Sequence, residues 1–186
     1  MTDGITDPGN NNILQSFSDA TAGRSLQTYY LMAATKSGGV DYIISRASGH
    51  SEPTDLSTGD TAEFDFDMTI NKATIFQGIG TIDFTFGLAV GSGSSSSVVV
   101  FTVIHYDGST ETTIGTATSA TKSASVPTDW VSKLKVDITR QLFGIGHILR
   151  VTAALTNTGV LQTVLYVDAD TAGKELILHM PVVNLE

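Results

Sequence analysis

Four histidines, His50, His105, His147 and His179, are the side chains best suited to move protons or bind a metal near neutral pH. They fall on different segments, and none shows an H-x-H or H-E-x-x-H spacing, so no metal or catalytic histidine set is expected. His105 and His179 lie within strand-like runs, where an imidazole packs across strands or points outward. Glu63, Asp65 and Asp67 alternate along one run and therefore share one face, making an acidic stripe. Such a stripe is a solvated sheet face, or a contact for a cation or a basic partner. It is not the pair of opposed carboxylates that glycoside hydrolysis requires.

Other chemistry-bearing patterns are incomplete. Asp168-Ala169-Asp170-Thr171-Ala172-Gly173 begins like a calcium loop, but Ala172 takes a ligand position and His179 stands where the closing Glu belongs. The loop reads as a plain turn. Serine is abundant, yet no G-x-S-x-G elbow occurs. Gly78-Ile79-Gly80 and Gly144-Ile145-Gly146 lack the helix that a phosphate loop needs and read as backbone turns. Tyr29-Tyr30 and Trp130 are candidates for a sugar platform, although core packing accounts for most of the aromatics. No cofactor, no metal and no catalytic residue is expected, and the chain reads as a non-enzyme.

The segments that carry these residues are strands. Phe64, Phe66, Met68 and Ile70 alternate with polar residues, as do Ile82, Phe84, Phe86, Leu88 and Val90, a period of two with one face dry. Thr28–Ala34 and Val40–Arg46 form a hairpin about Lys36-Ser37-Gly38-Gly39. Val98–Tyr106 is apolar on both faces, like a central strand, and Asp107-Gly108 turns it into the polar edge-like segment Thr110–Ala120. Gly91–Ser97 is expected to be a flexible surface loop, and Thr128 an N-cap for a short helical turn around Trp130. Ile148–Leu155 and Val160–Asp168 are expected to pair as a hairpin across Asn157-Thr158-Gly159. Pro181 places the last strand at an edge or marks a strand end. The fold class is all-β, an antiparallel β-sandwich of jelly-roll type.

Composition narrows the partners. The 186 residues suffice for one domain, and 41% hydrophobic residues can bury a core without disulfides, of which there are none. Only 16% are charged, against about 25% in an ordinary soluble domain. A net charge of −9 with scattered Lys and Arg argues against nucleic acid. MTDGITDPGNNN has neither a basic region nor an apolar core, so no signal peptide is expected; no apolar run is long enough for a membrane helix. The expectation is synthesis in a cytoplasm.

Residues 1–27 are polar and broken by Asp7-Pro8-Gly9, and read as an extended N-terminal arm ahead of a sandwich over residues 28–186. The arm lies along its own domain or clasps a neighbour. The Thr/Ser/Gly-rich strands, the Tyr106-Asp107-Gly108 hairpin and the arm resemble those of jelly-roll virion structural proteins, above all head decoration or cement proteins of tailed phages and related viruses. The resemblance implies a non-enzymatic protein of the virion surface that stabilises a capsid lattice. Its implied partners are the major capsid protein or other virion subunits and further copies of itself, a trimer above all. Ile5, Ile13, Leu14 and Phe17 of the arm, with Glu63, Asp65 and Asp67, are the candidate partner contacts. A carbohydrate-binding sandwich is the alternative expectation, and it requires exposed aromatics on one face.

Overall fold

The computed structural model describes residues 24–36, 39–47, 55–58, 60–89, 93–167 and 173–183. Among them there are twelve strands and no helix. In chain order they are β1 (Arg24–Lys36), β2 (Gly39–Ser45), β3 (Asp55–Thr58), β4 (Thr61–Thr69), β5 (Thr74–Ala89) and β6 (Ser95–Tyr106). Then come β7 (Glu111–Thr118), β8 (Lys122–Ala124), β9 (Thr128–Phe143), β10 (Ile148–Gly159), β11 (Gln162–Tyr166) and β12 (Leu176–Val183). The candidate arm residues Ile5, Ile13, Leu14 and Phe17 lie outside the described residues, and Arg24–Gln27 already belong to β1.

Hydrogen bonding runs in the order β3-β11-β5-β12-β1-β2-β4-β10-β6-β7, with β8 on β6 and β9 on β5. All pairs are antiparallel except β2 with β4, which touch through one parallel bridge, Ile43 to Asp67. The sheet turns over at that single bridge, giving two layers. Phe84 of β5 meets Phe101 of β6 edge to face at 4.9 Å, and Phe143 of β9 meets His105 of β6 at 4.4 Å, each ring pair crossing between layers. Phe66, Val103, Val151 and Leu155 from one layer and Leu31, Ile82, Phe86 and Leu178 from the other are fully buried between them. Each such side chain stabilises the fold by about 1.5–3 kcal/mol relative to exposure. The alternation in β5 and β4 is thus the inner face of a sandwich, as the sequence predicts. The successive connections β4 to β5, β5 to β6 and β9 to β10 each pass from one layer to the other, in the manner of a jelly roll.

Several local expectations are corrected. Thr128–Phe143 is one long strand along β5, with no helical turn; the Thr128 hydroxyl donates back to the Val126 carbonyl at 3.0 Å instead of capping a helix. Pairing along the whole of β5 outweighs a local N-cap signal. β10 and β11 do not form a hairpin: β10 pairs with β4 and β6, while β11 pairs with β3 and β5. The Asn157–Leu161 turn therefore crosses the sandwich. Ser95–Ser97 is the start of β6 and not a loop, with Ser95 and Ser97 buried. Their hydroxyls are used, Ser95 Oγ accepting from the Leu161 amide at 2.7 Å and Ser97 Oγ bonding Thr163 Oγ1 at 2.9 Å. Pro181 is not on an edge strand, since β12 pairs on both sides, but it lies two residues before the end of that strand, where the register against β5 shifts and the missing N–H is tolerated.

Candidate functional site

Three polar centres stand out, each assembled by strand register. The first lies on β6 and at the start of β10. His105 ends the buried face of β6 and is itself buried, its ring against Phe143. The turn Gly144-Ile145-Gly146 brings His147 back over it, so that His105 Nε2 and His147 Nδ1 are 2.7 Å apart. This requires a bare backbone, because a Cβ on Gly144 would lie 2.9 Å from His147 Nε2. The turn is fixed to the residue after β4: Ile70 N–H donates to the His147 carbonyl at 2.8 Å, and Gly146 N–H to the Ile70 carbonyl at 2.9 Å. One ring of the pair must donate and the other accept, which only neutral or singly protonated rings allow. Burial, reinforced by His147, lowers the His105 pKa; nearby Asp107 opposes this only weakly. Asp107 itself is held down to about 2 by the amides of Thr110 and Ser109 in the hairpin turn.

The second centre is a row across β1, β12, β5 and β9. Thr28 lies opposite His179, and His179 opposite Thr81. Thr28 Oγ1 is 3.0 Å from His179 Nδ1, while His179 Nε2 is 3.6 Å from Asp83 Oδ2. The order hydroxyl, imidazole, carboxylate is that of nucleophilic catalysis. Here, however, Asp83 Oδ2 is taken by Lys133 Nζ at 2.9 Å, and the hydroxyl sits inside a strand. Burial lowers the His179 pKa, with Asp83 opposing and Lys133 reinforcing the shift. Asp83 Oδ1 and Thr81 Oγ1 are buried without a hydrogen-bond partner among the described residues. The row joins the His179 imidazole to the Thr28 hydroxyl by a hydrogen bond, but it does not align that hydroxyl for attack.

The third centre answers the acidic stripe. Arg150 on β10 lies opposite Asp67 on β4 and grips it with two bonds of 2.8 Å. Its remaining nitrogen bonds Glu111 of β7 at 2.5 Å and approaches Asp65 at 3.8 Å, and its guanidinium lies over the Tyr106 ring at 6.0 Å. The bidentate bond to Asp67 raises the Arg150 pKa further. Asp65 also accepts from Thr152 at 2.6 Å, so of the three stripe residues Asp65 and Asp67 are engaged within the chain while Glu63 is exposed. Sequence spacing locates the stripe but not Arg150, which is 83 residues away from Asp67 and is brought in by register alone.

No group of three or more His, Asp or Glu side chains placed to hold a metal occurs among the described residues. Tyr29 is fully buried, and Trp130 is half-buried against Phe86. Tyr30 is half-buried as well, so these three rings do not form the exposed platform that the carbohydrate-binding alternative requires.

No family model and no curated protein matches the chain. Solved structures do. A CocE/NonD family hydrolase from Staphylococcus aureus is similar with a TM-score of 0.64 at 12% identity, over 87% of this chain and 37% of that one. An aminopeptidase from the marine sediment archaeon Thaumarchaeota archaeon is similar with a TM-score of 0.55 at 7% identity, over 86% and 37%. An alpha-amino acid ester hydrolase is similar with a TM-score of 0.53 at 13% identity, over 84% and 36%. At these identities the likeness is one of fold, and the chain spans little more than a third of the length of these structures. The resemblance to phage decoration or cement proteins is corrected by it: the fold is shared with hydrolases. The readings of a non-enzymatic virion structural protein and of a chain with no enzymatic role fall with that resemblance. Thr/Ser/Gly-rich strands and a polar hairpin mark a sandwich surface in general, so they could not separate the two.

Proposed function

We propose that this chain works in hydrolysis, as the β-sandwich unit of an enzyme that cleaves ester or amide bonds. The observation that supports this is the shared fold, which covers 84–87% of this chain in each of three hydrolases. Because it accounts for only 36–37% of those chains, the activity of a whole enzyme is part of the proposal. The sequence has no G-x-S-x-G elbow, and among the described residues neither the His105–His147 pair nor His179 is hydrogen-bonded to a serine, so no nucleophile is assigned within the sandwich.

The test uses the natural polypeptide, purified from its source with whatever subunits accompany it. It is assayed on p-nitrophenyl acetate, an α-amino acid ester and an aminoacyl p-nitroanilide. Turnover of at least one substrate is expected, with a loss of tenfold or more when residues 24–183 are deleted. Absence of turnover on all three, or turnover indifferent to the deletion, overturns the proposal.

A further inference from the structure

At the bridge where the two layers meet, β2 and β4 run parallel and end side by side. The last residues of both strands and those that follow them, Ile44–Arg46 and Met68–Lys72, line a cleft of about 360 Å³. Its apolar side is Ile44, Met68 and Ile70, with Ile44 and Ile70 belonging to the core. Its polar side carries Arg46, Asn71 and Lys72. The volume is within the range of about 300–1,000 Å³ typical of small-molecule sites.

The charge of this cleft runs against that of the chain. With nineteen acidic residues to ten basic ones, an average surface patch is negative, yet among the described residues the lining holds two cations and no carboxylate. Among the described residues neither Arg46 nor Lys72 is in an ion pair. The nearest acid along the lining strand, Asp67, is already held by Arg150. Arg46 is also positioned, its guanidinium lying over the buried Tyr29 ring at 5.6 Å. Arg46 also bonds the Tyr29 side chain, and a guanidinium with five N–H donors keeps others for a carboxylate or phosphate. The wall opposite is rigid, because Ile70 is tied at both its amide and its carbonyl to the Gly146-His147 backbone.

We propose that this cleft is a binding site for a small organic anion, its headgroup held between Arg46 and Lys72 and its short apolar body against Ile44, Met68 and Ile70. The site stands independently of the hydrolytic reading, since binding is measured without turnover. The full chain is titrated, with amide resonances followed by NMR, using hexanoate, phenyl phosphate and hexylammonium at constant ionic strength. Hexanoate or phenyl phosphate is expected to move the resonances of Arg46 and residues 70–74, and the tighter of the two identifies the headgroup. Hexylammonium is expected to leave them in place. Arg46→Gln and Lys72→Gln are each expected to weaken binding about tenfold, the loss of one charge-assisted bond. Both residues are exposed, so each variant folds, and either alone suffices as a check. Equal shifts with hexylammonium, silence with both anions, or anion binding unchanged in the two variants overturns the proposal.

Discussion

Buried imidazoles give this protein an acid-sensitive interior. His105 and His179 both have pKa values lowered by burial, so the unfolded chain takes up protons at a higher pH than the folded one. Their contribution to stability is complete above the unfolded histidine value of about 6.5 and is lost as pH falls through the lower folded values. The urea midpoint is therefore expected to drop between pH 8 and pH 5, and His105→Phe to flatten that drop in a denaturation series. An unchanged slope in this variant contradicts the assignment. Arg150 acts in the opposite sense, through charge it neutralises. Replacing it with Ala leaves Asp65, Asp67 and Glu111 close together on one face, and a cost of about 1–2 kcal/mol is expected in equilibrium unfolding. High salt should recover part of that loss, because these side chains are partly exposed. The stripe was legible from the alternation of Glu63, Asp65 and Asp67. Its counter-ion was not, since nothing in the local pattern links position 67 to position 150.

Strand alternation reads correctly where one face meets the core, and fails where tertiary pairing decides. β4, β5 and the β6–β7 hairpin follow from apolar periodicity and an Asp-Gly turn. The β10–β11 segment has the same signals of two strands and a glycine turn, but its chain crosses between layers. What distinguishes it is a set of hydroxyl contacts from the start of β6, 62–66 residues away, which no local reading supplies. Gly159 is the pivot of that crossing. Its φ is +131°, and a Cβ there would come within 2.7 Å of Ser95 Cα. Gly159→Ala is expected to cost about 1–3 kcal/mol from backbone strain, to be checked by thermal unfolding against Gly108→Ala. Gly108 shares a positive φ but has open space around it, so the comparison separates strain from collision.

For the molecule as a whole, the period of two identified a sandwich but not its biological company. Sandwiches with polar outer faces serve many functions, and the three polar centres here arise from residues far apart in sequence. The cleft at the end of β2 and β4 likewise depends on one parallel bridge between strands that are not sequence neighbours. Neither was visible as a motif. The antiparallel pairing of β1 with β12 has a mechanical consequence. Arg24 lies opposite Val183 and Leu31 opposite Leu176, so eight register pairs run from the first residue of β1 and the last of β12 at one end to Leu31 and Leu176 at the other. Tension applied at Arg24 and Val183 peels those pairs one at a time, like a zip. Tension applied at Ala34 and Val183 pulls the same strands along their length and loads all the pairs together. Single-molecule extension is expected to show a markedly lower rupture force for the first attachment than for the second, so that the protein yields easily in one direction and resists in another.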